Sequence, residues 1–209
     1  MTSTVLQHHW DQLLRACRIP ATLGAPAFAE LCRAYQEEHR HYHTLQHVEH
    51  MLGLVYESGN AYPAALWATW YHDLVYQPGH GDNEPRSAEQ ARAVLTRLDV
   101  PESVIARTEQ IILATRAHTC AGTDPVLQGV LDADMAILGA PPDRYRRYCE
   151  QVRHEFAKLA EPVFRLGRRY FLEQVLAQER IFATEWFWQR FEAQARANLA
   201  SELVGDCPP

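Results

Sequence analysis

Apolar residues recur at three- and four-residue steps along almost the whole chain, and no useful length alternates residue by residue. The pattern therefore predicts an all-α protein. Segments 4–18, with Val5, Trp10, Leu13, Leu14 and Cys17, and 26–38, with Phe28, Leu31, Cys32 and Tyr35, read as amphipathic helices flanking a core. Residues 44–58 put Leu45, Val48, Met51, Leu52 and Val55 on one face, and Gly59-Asn60 supplies a stop. Residues 62–76 are apolar nearly all round, which suits a central helix buried on every side, with His72 and Asp73 near its C-terminal end. The Gly- and Pro-containing stretch 77–84 is a loop, and Asn83, as an N-cap ahead of Pro85, opens a helix through Ala88, Ala91, Val94 and Leu95. Asp99 and Pro101 start another, with Val104, Ile105, Thr108, Ile111, Ile112 and Thr115 facing inward, that ends near His118. A short helix then holds Asp132 and Asp134, and helices near 143–159, 161–178 and 184–204 complete the chain. No linker, repeat or low-complexity tract divides these elements, so residues 1–209 are expected to form a single domain.

The run from Ala64 to Val75 is fit for a core except at His72-Asp73. An imidazole and a carboxylate there would cost several kcal/mol to desolvate, so something must compensate them, and a bound cation does so most cheaply. Upstream, residues 39–50 contain His39, His41, His43, His47 and His50; downstream, residues 130–138 carry Asp132 and Asp134. Positions i and i+4 share a helix face, so His43 and His47 project the same way with His50 beside them, and one of these faces the ion. Imidazole and carboxylate together suit a divalent transition metal with open positions, which implies catalysis more than structure.

Composition narrows the partners. A formal net charge of -6 leaves no basic footprint for nucleic acid. No segment supplies the ~18 apolar residues of a membrane span, nor is there a signal-type leader, so a cytoplasmic protein acting on a small molecule is expected. The five cysteines are an odd number without C-x-x-C spacing, which reads as reduced and structural. His8, His9, His39, His41, His80 and His154 read as solvated surface, and Trp67, Trp70, Tyr71, Trp186, Phe187 and Trp188 as core.

A histidine, then a His-Asp doublet, then an isolated aspartate is the ligand order of the HD superfamily of metal-dependent phosphohydrolases, and the chain resembles that superfamily. Tyr42-His43-Thr44-Leu45-Gln46-His47 is similar to the Y-H-N-x-x-H segment of cyclic-nucleotide phosphodiesterases, a branch of it, with Thr44 in place of the asparagine. Y-H-x-x-x-H, W-Y-H-D, D-N-E-x-x-S-A and L-D-A-D-x-x-I-L-G together resemble a bacterial family of predicted HD phosphohydrolases. The resemblance implies an all-α HD-type domain binding Mn, Fe, Ni, Zn or Mg through His47, His72, Asp73 and Asp134. It also implies that His43 protonates the leaving oxygen. Ala133-Asp134-Met135 matches the family context of the last ligand better than Leu131-Asp132-Ala133, leaving Asp132 beside the ligands.

Glu84, Arg86 and Ser87 follow the loop after the doublet and are candidates to reach water or a substrate phosphate. His118 is a candidate further ligand or phosphate contact, and Arg153 a bidentate phosphate donor. The expected substrate is a small phosphorylated metabolite or nucleotide. The alternatives are an HD-type di-iron oxygenase, which the same ligands would serve, and a non-catalytic nucleotide-binding sensor.

Overall fold

A computed structural model describes residues 4–117 and 123–205. The described residues are all-helical, with α1 (Thr4–Ala16), α2 (Ala21–Ala34), α3 (Leu45–Glu57), α4 (Pro63–Tyr71), α5 (Asn83–Arg97) and α6 (Glu102–Thr115) followed by α7 (Pro125–Met135). A short 3-10 helix (Ala136–Gly139) leads to α8 (Pro142–Glu155), α9 (Glu161–Leu176) and α10 (Glu185–Leu203). They gather into two compact units, Met1–Leu131 and Asp132–Pro209, whose boundary falls inside α7.

The first unit is built round α4, which packs with α1, α3, α5 and α6. Residues 64 to 71 of α4 are all buried, as an apolar segment without a polar face requires. Trp10 of α1 meets Trp67 and Trp70 edge-to-face, with ring centroids 5.4 Å apart in each pair, and Phe28 of α2 meets Trp70 at 5.9 Å. Edge-to-face contacts set the positive ring edge against the negative face and add roughly 0.5–1.5 kcal/mol each beyond burial.

In the second unit the 3-10 helix packs on α10, so closely that a Cβ on Gly139 would lie 2.5 Å from the Phe191 carbonyl oxygen. Asn198 of α10 donates to the Leu138 and Ala140 carbonyls at 2.7 and 2.8 Å, satisfying groups left open where the 3-10 turn ends.

Several boundaries differ from the periodicity: α2 runs Ala21–Ala34 rather than 26–38, α8 ends at Glu155 rather than 159, and three more bear on the site. The central helix stops at Tyr71 rather than 76, so His72 is its C-cap and Asp73 lies in the turn beyond it. Side chains from elsewhere capture the backbone groups that a longer helix would need. Asn83 is the first residue of α5 rather than its N-cap, because its amide is engaged by the preceding loop. Helix α6 ends at Thr115, and His118 lies outside the described residues with Cys120 and Cys207. Cys17, Cys32 and Cys149 form no disulfide. Among the described residues no helix is long and apolar enough to cross a membrane.

Candidate metal centre

Past α4 the chain runs from His72 to Gln77 without regular structure, yet its backbone is held almost group by group. The Trp70 carbonyl accepts from the Tyr35 hydroxyl at 3.0 Å, and the Tyr71 carbonyl accepts from the Leu74 amide at 3.1 Å. The Asp73 and Leu74 carbonyls accept from Arg40 Nη1 and Nη2 at 2.7 and 2.9 Å. Ser87 Oγ accepts from the Val75 amide at 3.0 Å and donates to its carbonyl at 3.3 Å. His39 Nε2 lies 2.7 Å from the Tyr76 carbonyl, and Asn83 pairs with both the amide and the carbonyl of Gln77 at 3.0 Å. Buried backbone groups without partners would each cost roughly 1–3 kcal/mol, so these side chains are what let the segment leave the helix and stay ordered. The i, i+4 pair Asn83 and Ser87 on the first turns of α5 thus holds the backbone of Val75 and Gln77.

His72 is 1% exposed and His47, in the first turn of α3, is 2% exposed; their Nε2 atoms are 3.2 Å apart. The Thr44 hydroxyl accepts from the Gln46 amide as the N-cap of α3, which fixes where His47 leaves the helix. His72 Nδ1 lies 3.0 Å from the Thr69 carbonyl. A carbonyl only accepts, so the ring donates there, and a neutral ring then presents a bare lone pair at Nε2. That lone pair faces Asp73 Oδ2 at 3.1 Å. Two facing acceptors repel unless a cation, either a proton on the ring or a metal ion, lies with them. Donors ~2.1 Å from a shared ion are separated by roughly 3.0 Å at a right angle and roughly 3.4 Å at the tetrahedral angle. Both observed separations fall inside that window, so His72 could share a metal ion with His47 or with Asp73.

The other expected residues divide by what they touch. His43 is half-buried just ahead of α3, its ring 4.2 Å from that of Tyr76 and 5.8 Å from that of His47. Glu84 is half-buried in the first turn of α5, and Arg86 Nη1 lies 4.0 Å from Asp82. The Ser87 hydroxyl, expected to reach water or phosphate, is occupied by Val75. Within the second unit Asp132 is 3% exposed and accepts from the Ala183 amide at 2.9 Å, the Thr184 amide at 2.8 Å and the Thr184 hydroxyl at 2.7 Å. It caps the segment entering α10. Burial raises its carboxyl above the ordinary aspartate value despite those donors, and the charge of Glu192 adds to the rise. Asp134 is half-buried in the last turn of α7. Arg153 is spent on Glu161 at 2.8 Å and the Phe156 carbonyl at 3.0 Å, and it lies over the Phe164 ring.

Two contributors carry no periodic signal, because residues 35–44 lie outside any helix: His39 and Arg40; Tyr35, read as part of an apolar helix face, follows α2 and supplies its hydroxyl to the Trp70 carbonyl. Their spacing resembles no motif, and only proximity to the histidines could have drawn notice. Surface solvation, expected for His39, gives way to its contact with the Tyr76 carbonyl and a stack on the Tyr76 ring. Comparison of the chain with protein-family models, with curated proteins and with solved structures returned no match.

Proposed function

We propose that the protein is a metal-dependent phosphohydrolase acting on a small phosphorylated metabolite or nucleotide, with His47, His72, Asp73 and Asp134 as ligands of one divalent ion. The observation that carries the reading is the approach of the His72 Nε2 lone pair to His47 Nε2 and Asp73 Oδ2, at separations suited to a shared ion. The Thr69 carbonyl favours the tautomer a ligand needs, in the way outer hydrogen bonds commonly orient metal-bound histidines. Asp134 is preferred to Asp132 because Asp132 already accepts three hydrogen bonds and because Ala133-Asp134-Met135 matches the family context of the last ligand.

A bound divalent ion supplies Lewis acidity toward a phosphoryl oxygen and lowers the pKa of water toward neutrality. The side chains hold the ligand geometry before substrate arrives, so little reorganisation is needed in the transition state. His43 would pass a proton to the leaving oxygen, and its edge contact with Tyr42 and tilted contact with Tyr76 restrict its ring. A net charge of -6 offers no steering toward a polymeric polyanion, which favours a small substrate. The motif order shared with HD proteins supports phosphoryl transfer over other metal-assisted hydrolyses.

Elemental analysis of protein purified without chelator, followed by phosphate release from a panel of phosphorylated metabolites with Mn, Fe, Ni or Zn, tests this reading. Near-stoichiometric metal and turnover that falls by roughly 10²–10⁴ in His43→Ala, with metal retained, is the expected result. Absence of metal uptake overturns it. Two irons with oxygen consumption would put the oxygenase in its place, and nucleotide binding without turnover the sensor.

A further inference from the structure

Arg40, in the first histidine segment, reaches across to the turn that carries His72 and Asp73. Its residue is 5% exposed, and none of its side-chain surface reaches solvent. Nε donates to Glu37 at 3.0 Å, Nη1 to the Asp73 carbonyl at 2.7 Å and the His43 carbonyl at 3.4 Å, and Nη2 to the Leu74 carbonyl at 2.9 Å. The guanidinium carbon lies 5.0 Å from the Tyr35 ring centroid and 5.4 Å from that of Tyr76. Burying a guanidinium is costly unless its donors are used, and here the fork engages one carboxylate and three carbonyls.

From this geometry we infer that Arg40 is the positioning residue of the metal centre. It binds the carbonyl of the candidate proton donor His43 and the carbonyls of Asp73 and Leu74 to one planar group, and so sets the distance between the His43-His47 segment and the His72-Asp73 turn. The inference deepens the proposed function and rests on its ligand assignment. Arginine suits the role because a rigid planar fork fixes several acceptors in direction as well as distance. A lysine ammonium would supply the charge from a single point and leave at least one carbonyl open.

The test uses full-length Arg40→Lys and Arg40→Ala with three measurements. Chelator competition should show metal affinity lower by about 10–100-fold in both variants, the range for lost outer hydrogen bonds to metal ligands. The visible spectrum of the cobalt-substituted protein should change, which loss of stability alone would not produce. Methylguanidinium added to Arg40→Ala should restore part of the affinity. Wild-type affinity and spectrum in a folded Arg40→Lys would overturn the inference, and if Arg40→Ala does not fold, Arg40→Lys carries the test. Should the wild type take up no metal, the proposed function fails, and the imidazole nitrogen NMR signals of metal-free protein decide about Arg40. Displaced His47 and His72 signals in Arg40→Lys support positioning; unchanged signals overturn it.

Discussion

Each compact unit buries a polar cluster, and the two clusters are finished differently. In the second unit Arg168 grips Glu202 through Nε at 2.8 Å and Nη2 at 3.1 Å, and its Nη1 donates to the Tyr148 hydroxyl at 3.0 Å. The Tyr145 hydroxyl and the Cys149 thiol also donate to Glu202. Positive and negative charge cancel within the cluster, and the donors meet acceptors. In the first unit His72 Nε2 lies 3.2 Å from His47 Nε2 and 3.1 Å from the Asp73 carboxylate, and the segment that carries it is held by Thr69, Arg40 and Ser87. A cluster that closes on itself stabilises a fold. One whose supporting groups are satisfied while imidazole and carboxylate converge at its centre could hold a cation.

The largest expected effect lies in the closed cluster. Glu202→Leu leaves a buried guanidinium unpaired and should cost about 3–5 kcal/mol, while adding Arg168→Met should recover much of the loss. Denaturant unfolding of the single and double variants measures both, and a double variant as unstable as the single would mean that the cluster does not act as a pair. Next comes the cluster of the first unit, where the proposed ligand His72 is tested by metal-dependent stability. Manganese at about 100 times its Kd should stabilise the wild type by about 2.7 kcal/mol, and His72→Ala should gain none of this in melts with and without metal. Equal gains would put the ion elsewhere.

Asp132 and Asp134 sharpen the same division. Asp132→Ala should destabilise by about 1–3 kcal/mol, through the uncapped amides of Ala183 and Thr184, while metal content is unchanged. Asp134→Ala should lower metal content with little loss of stability, and the reverse pattern would exchange their roles. The smallest effect is on pH dependence. Burial raises the Glu202 carboxyl, but Arg168, with Tyr145 and Cys149 donating, outweighs it and the net direction is down. A depressed carboxyl contributes stability that is full above its unfolded value and is lost as pH falls through its folded one, below the ordinary glutamate range. Unfolding free energy should therefore decline with acid more steeply in the wild type than in Glu202→Gln, and parallel profiles would remove Glu202 as the cause.

Helix identity and the choice of residue types were legible in the sequence, because both follow from local rules. A 3.6-residue period marks each buried face, and a His-Asp doublet in an apolar run is anomalous wherever the chain takes it. Tertiary structure alone decided where α4 stops, since the side chains that capture its outgoing backbone come from Tyr35, Arg40 and Ser87, distant along the chain. It also decided that Asp132 caps the entry to α10, because two adjacent acidic positions on one short helix differ only in what other segments bring against them. Periodicity reports which face is buried. Direction and partner are set by contacts across many residues of sequence, which no local pattern encodes.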